Sequence, residues 1–137
     1  MRARPVQVVA QRHDWDCGVA ALSMLLRTPY GDVIATTKRL YPVIPRRGLG
    51  IVHLEVIAEE FGKHLKRVYK SKDYLLDRPT GILGLNGGEM HWSGHWVMMK
   101  EGVIIEPWHE RYSIYGLKEY LQETKSRPAT LLVLEEA

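Results

Sequence analysis

The sequence predicts an α+β fold in which an N-terminal helical half packs on a C-terminal antiparallel sheet. The segment from Cys17 to Arg27 is apolar on nearly every side, which is typical of a buried helix. Apolar residues recur at helical spacing from Ile51 to Phe61, and Gly62 then ends the pattern. The second half contains short apolar runs between glycines and prolines, which indicate strands. The length of 137 residues fits one domain, residues 1–137.

The elements of the first half are predicted as three helices and a strand. The first helix ends at a Thr-Pro-Tyr-Gly-Asp segment, residues 28–32. A loop that contains proline and glycine precedes the third helix. A turn of helix is expected before Pro79. The predicted ranges are helices 17–27, 33–40 and 51–61, strand 65–69, and the helical turn 74–76.

The second half is predicted to contain a β-hairpin. The strand from His95 to Lys100 meets the return strand from Val103 to Glu106 through a turn at Glu101-Gly102. A glycine-rich loop precedes His95, and Pro107 ends the return strand. The other predicted elements are strand 81–85, helix 115–124 and strand 130–134.

Composition and charge narrow the possible functions. The formal net charge is +3, and the basic residues are spread out, so a solvated surface is favoured over nucleic-acid binding. A single cysteine excludes an internal disulfide and favours a reducing compartment such as the cytoplasm. We expect neither a secretory signal nor a membrane span, because no apolar run is long enough.

The lone cysteine, Cys17, lies at the predicted start of the first helix. Unpaired N–H groups and the positive end of the helix dipole favour a thiolate at such a position. A free cysteine is nevertheless more often a buried and unreactive residue. Position alone leaves both interpretations open.

Residues elsewhere in the chain have the chemistry that a cysteine nucleophile requires. His95 begins one hairpin strand and Glu106 ends the other, so a carboxylate is expected near the imidazole. The amide of Gln11, six positions before Cys17, is a candidate oxyanion donor. His91 competes with His95 for the role of base, and His95 is preferred because it directly precedes the strand.

Several segments together resemble papain-like cysteine peptidases, and most closely the bacteriocin-processing, double-glycine leader peptidase family. The resemblance extends over most of the chain, from Val6 to Leu134. It is carried by Gln-x5-Cys at 11–17, Asp-Cys-Gly-x-Ala-Ala at 16–21, Gly-His-Trp-Val at 94–97, and Ile-Glu-Pro at 105–107.

The resemblance implies a role for each candidate residue. Cys17 is the expected nucleophile, His95 the base, Glu106 the residue that orients the base, and Gln11 part of the oxyanion hole. A peptide or protein substrate is implied, with no cofactor. The family has Asp where this chain has Glu106, so the strand must lie further back or the contact is weaker. The family's peptidase is usually joined to a membrane transporter, and this sequence contains none, so the fold does not identify the substrate.

Tryptophans flank the candidate catalytic residues. We expect Trp15, Trp92 and Trp108 to line a substrate cleft, although core packing is an alternative, and it is the favoured interpretation for Trp96. A zinc site formed by Cys17, His91 and His95 is disfavoured, because these residues lack the paired spacing of ligands that known zinc sites have. No metal is therefore expected.

Other functions remain compatible with these residues. The same groups could transfer an acyl group to an amine, as a transglutaminase does, or cleave an isopeptide or peptidoglycan amide. An inactive peptide-binding module could also retain the fold. The sequence leaves the oligomeric state open.

Overall fold

The computed structural model describes residues 15–45, 48–68, 79–86, 95–107 and 113–135. Several sequence predictions concern residues outside these ranges. These are the roles of Gln11, His91, Trp92 and Trp108, and the helical turn at 74–76.

The helices of the first half follow the predicted pattern closely. All ten residues of the first helix are buried, and the chain leaves it through Arg27, which adopts a left-handed conformation (φ 54°). The second helix begins at Tyr30 rather than at residue 33. The preceding residue, Pro29, has an extended conformation. The Pro29 carbonyl accepts hydrogen bonds from the backbone N–H groups of Asp32 and Val33. The bounds are α1 Cys17–Leu26, α2 Tyr30–Leu40, α3 Ile51–Glu60 and, in the second half, α4 Leu117–Thr124.

Within the described residues, six strands form one antiparallel sheet in the order β1-β6-β2-β3-β4-β5. The predicted hairpin is confirmed, and its turn residues Glu101 and Gly102 have positive φ angles of 51° and 84°. The strands are β1 Leu65–Val68, β2 Gly81–Asn86, β3 His95–Lys100, β4 Val103–Glu106, β5 Ser113–Gly116 and β6 Arg127–Leu134.

Two sequence-based boundaries in the second half were wrong. The predicted helix 115–124 begins only at Leu117, because Ser113–Gly116 pairs with β4 as an edge strand. The final strand begins at Arg127 instead of Thr130, and it includes Pro128. An irregularity in the register beside Gly84 and Leu85 accommodates this proline, which cannot donate a backbone hydrogen bond.

Each face of the sheet contributes to a hydrophobic core. One face packs against α1, α2 and α3, with Ile82, Met98 and Ile105 contributing from the sheet. The opposite face, which includes Val97 and Met99, packs against α4. Successive residues of β3 therefore point to different cores, as strand geometry requires. None of the helices in the described ranges combines the length and the apolar character needed to cross a membrane.

We expect that Leu54→Ala lowers the free energy of unfolding by about 3 kcal/mol, because it leaves a cavity beneath α1. Leu54 is fully buried on α3, and a Cβ atom on Gly18 would lie 3.1 Å from its Cδ2 atom. Urea denaturation measures the change. The control is Val52→Ala on the same helix, where the side chain is 59% exposed and the change should stay within about 0.5 kcal/mol. Equal effects of the two substitutions would contradict the packing described here.

Candidate active site

A cavity of about 410 Å³ lies where α1 begins and β3 starts. Both the lone cysteine and His95 line it. The lining residues come from α1, the loop before α3, and strands β2, β3 and β6: Cys17, Leu49, Gly50, Ile51, Gly84, Leu85, Asn86, His95, Trp96, Ala129 and Thr130.

Cys17 and His95 are in contact in the wall of this cavity. Cys17 is a free thiol at the first position of α1, and its side chain hydrogen-bonds with the His95 imidazole. Each residue is only 9% exposed, so the contact is largely shielded from solvent. The fold therefore brings a thiol and an imidazole together from positions 78 residues apart.

Glu106 contacts the same imidazole from the neighbouring strand. Strands β3 and β4 pair Met98 with Ile105 and Met99 with Ile104. Continuing this register places Glu106 opposite position 97, so that it shares a sheet face with His95. The Oε1 atom of Glu106 forms a buried hydrogen bond and ion pair with Nε2 of His95. The extra methylene of glutamate thus does not prevent the expected contact.

The surroundings of His95 favour its charged form. Burial of the ring acts to lower its pKa, but hydrogen bonds to Cys17 and Glu106, together with the charges of both groups, outweigh burial and raise the pKa of His95 from 6.5 to about 10. An imidazolium between a sulfur and a carboxylate is the arrangement expected of a base that has taken the proton of a thiol.

Tyr120 is a polar contact of Glu106 that the sequence analysis missed. Its hydroxyl donates a hydrogen bond to Oε2 of Glu106 from α4, which packs on the sheet face that includes Val97. The sequence analysis placed Tyr120 only within the predicted helix 115–124. A tyrosine on a buried face normally requires a partner for its hydroxyl, and that was the available signal.

Trp96 joins the two elements that carry the cysteine and the histidine. Its Nε1 atom donates a hydrogen bond of 2.8 Å to the carbonyl of Leu49 at the cavity wall. Its ring packs against both Gly18 and Gly84, where an added Cβ would lie 3.2 Å and 2.8 Å from ring carbons. Trp96 packs against the core as favoured from the sequence, and it also lines the cavity.

Asp16 anchors the start of α1 through a contact with α2. The residue is fully buried, and its Oδ2 atom accepts a hydrogen bond from the Tyr30 hydroxyl. Its carbonyl accepts the first backbone hydrogen bond of the helix, from Ala20 at 3.0 Å. These contacts link the beginnings of α1 and α2 and fix the position of Cys17.

The structure brings together three of the four candidate catalytic residues: Cys17, His95 and Glu106. The fourth, Gln11, lies outside the described residues, as do Trp92 and Trp108. Trp15 is half-buried and packs against the helical core, and the described cavity wall does not include it. In the described part of the chain, no three histidine, cysteine or acidic residues are grouped as metal ligands.

The fold and the sequence together define a papain-like cysteine peptidase domain. The model of the peptidase C39 family matches residues 5–115, which is most of the chain. The chain belongs to the peptidase C39 family. A search of curated protein sequences finds no significant match.

Solved structures have the same fold at low sequence identity. The chain is similar to a double glycine motif protease from an AMS/PCAT transporter, whose structure was determined in complex with the leader peptide. The TM-score is 0.68 and the sequence identity is 19%, and the match covers 97% of this chain and 93% of that one. It is also similar to the peptidase domain of Streptococcus ComA, a bifunctional ABC transporter (TM-score 0.67, 15% identity, 97% and 100% coverage). The Streptococcus mutans ComA peptidase domain gives a TM-score of 0.61, 15% identity, and 94% and 98% coverage.

We expect NMR to find the His95 ring protonated well above pH 6.5, with a titration midpoint near 10. The resonance is assigned by its loss in His95→Gln. Glu106→Gln should lower the midpoint, because it removes the charge of one partner. Glu101→Gln removes an exposed acid at the turn of the same hairpin and should leave the midpoint unchanged. A wild-type midpoint near 6.5 would contradict this description of the site.

Proposed function

We propose that the protein hydrolyses a peptide bond through Cys17, with His95 as the base and Glu106 as the residue that orients it. The observation that carries this proposal is the buried sequence of contacts from the thiol to the imidazole and on to the carboxylate. These contacts lie at a cavity large enough to admit several backbone atoms of a peptide. Membership of the peptidase C39 family supports the same reaction class.

The reaction begins with a proton on His95 and a negative charge on Cys17. The thiolate attacks the amide carbonyl carbon, and the carbonyl oxygen becomes an oxyanion. When the intermediate collapses, the C–N bond breaks and His95 gives its proton to the leaving amine. The acyl group remains on Cys17 as a thioester. His95 then takes a proton from water as the water oxygen attacks the thioester carbonyl, and the C–S bond breaks to release the carboxylic acid and restore the thiolate. Glu106 stabilises the imidazolium both during attack on the amide and during hydrolysis of the thioester.

Oxyanion stabilisation is assigned to the backbone N–H of Cys17 and the side-chain amide of Gln11. Cys17 is the first residue of α1, where backbone N–H groups have no acceptor within the helix. Such a donor is already oriented and adds to the positive end of the helix dipole. The spacing of Gln11 before Cys17 is the basis for including its amide.

The substrate is proposed to be a peptide with small residues before the cleaved bond. Two glycines, Gly50 and Gly84, lie in the cavity wall beside Leu49 and Trp96. One similar structure is that of a double glycine motif protease in complex with the leader peptide, which supports the same preference here. Trp15, Trp92 and Trp108 are proposed to contact more distant parts of the peptide. We place the protein in a reducing compartment such as the cytoplasm, which keeps a lone thiol nucleophile in its reduced form.

We expect Cys17→Ala and His95→Ala to abolish turnover, with losses of at least about 1,000-fold, because the nucleophile and its base act as a unit. Glu106→Ala should retain partial activity, since it removes only the group that orients the base. Cleavage of a library of peptides containing Gly-Gly, Gly-Ala and Val-Val pairs, followed by mass spectrometry, measures these effects. Wild-type turnover in a Cys17→Ala preparation would overturn the assignment.

The same assay separates hydrolysis from acyl transfer. With hydrolysis, a free carboxylic acid remains the main product when a primary amine is added at moderate concentration. If an acyl transferase were present instead, the amine adduct would replace the acid, and the proposed reaction would be wrong.

A further inference from the structure

Both oxygens of Glu106 are engaged by different elements of the fold. Oε1 contacts His95 on β3, and Oε2 accepts the hydrogen bond from Tyr120 on α4. Glu106 is 8% exposed and Tyr120 is 1% exposed, so neither contact is open to competition from bulk water. A carboxylate that is held at both oxygens has a fixed plane as well as a fixed position.

A glutamate has particular need of such a second contact. It has one more rotatable bond than the aspartate expected from the family resemblance, so more rotamers must be excluded. The pairing of β3 with β4 places the Glu106 side chain on the same sheet face as His95. This pairing alone leaves the carboxylate free to rotate. The hydroxyl of Tyr120 selects the rotamer in which the other oxygen meets His95.

We propose that Tyr120 is a positioning residue that holds the Glu106 carboxylate against His95. The proposal rests on the proposed function, since it concerns the efficiency of that site. Tyr120 lies beyond residues 5–115, the range that the family model matches. The role is thus assigned by this chain's own contacts.

A purely structural role for Tyr120 makes a different prediction. Its ring belongs to the apolar cluster between α4 and the sheet, with Val97, Met99 and Ile104. If the hydroxyl served only to satisfy a buried polar atom, its removal would change stability and leave the reactivity of Cys17 unaltered. Tyr120→Phe tests the difference, because it removes the hydroxyl and keeps the ring.

The probe is iodoacetamide, which reacts with the thiolate form of a cysteine and reports on the only cysteine in the chain. All rates are compared at one pH, at which the contact with His95 favours the reactive thiolate. We expect Tyr120→Phe to lower the rate about threefold to tenfold, as expected from the partial loss of one charge-assisted hydrogen bond. Thr37→Val is the matched control: it removes a buried hydroxyl that donates to the Val33 carbonyl within α2. Its rate should equal that of the wild type.

A double-mutant cycle with Glu106→Ala shows whether Tyr120 acts through the carboxylate. In the Glu106→Ala background, Tyr120→Phe should cause no further loss. Circular dichroism of each variant confirms that the comparison is made on folded protein.

Each outcome supports or overturns the proposal. A loss in Tyr120→Phe that disappears in the Glu106→Ala background supports it. Wild-type reactivity of Tyr120→Phe, or an equal loss in both backgrounds, overturns it and leaves the proposed peptidase function standing. If the wild type itself reacts as an ordinary thiol, the proposed function fails and the role of Tyr120 fails with it.

Discussion

The buried contact between His95 and Glu106 is the interaction on which the rest of the site depends. A charged imidazole in an apolar surrounding requires an opposite charge within contact distance, because transfer of an unpaired ion from water is costly. The antiparallel register of β3 and β4 supplies that partner on the same sheet face. The tight turn at Glu101 and Gly102 fixes the register, so a local feature of the hairpin determines the electrostatics at its opposite end.

The nucleophile reaches this pair through packing between a helix and a sheet. The apolar surface of α1 is buried on all sides, which leaves its N-terminal end little freedom to move relative to β3. Trp96 fills the space between the two elements, and the absence of side chains at Gly18 and Gly84 permits its close approach. Core packing and site geometry therefore depend on the same residues, and substitutions at these glycines would affect both.

Much of this arrangement was predictable from local sequence patterns. The buried character of α1, the hairpin, and the pairing of His95 with Glu106 each follow from periodicity or turn chemistry within about a dozen residues. The role of Tyr120 and the strand β5 were not predictable in this way. Tyr120 meets Glu106 only when α4 folds across the sheet, and Ser113–Gly116 becomes a strand only because the edge of β4 offers it hydrogen bonds. Residues outside the described ranges, including Gln11, keep the status of predictions.

The most direct test of the central claim is an ultraviolet measurement of the Cys17 thiolate at one neutral pH in the wild type and in His95→Ala, with Cys17→Ser as the blank. The protein has one cysteine, so the difference spectrum reports on a single group. We expect the wild type to show more thiolate absorbance than His95→Ala at the same neutral pH, because the His95 imidazolium stabilises a negative charge on the sulfur. Equal absorbance in the two proteins would contradict a preformed ion pair between Cys17 and His95.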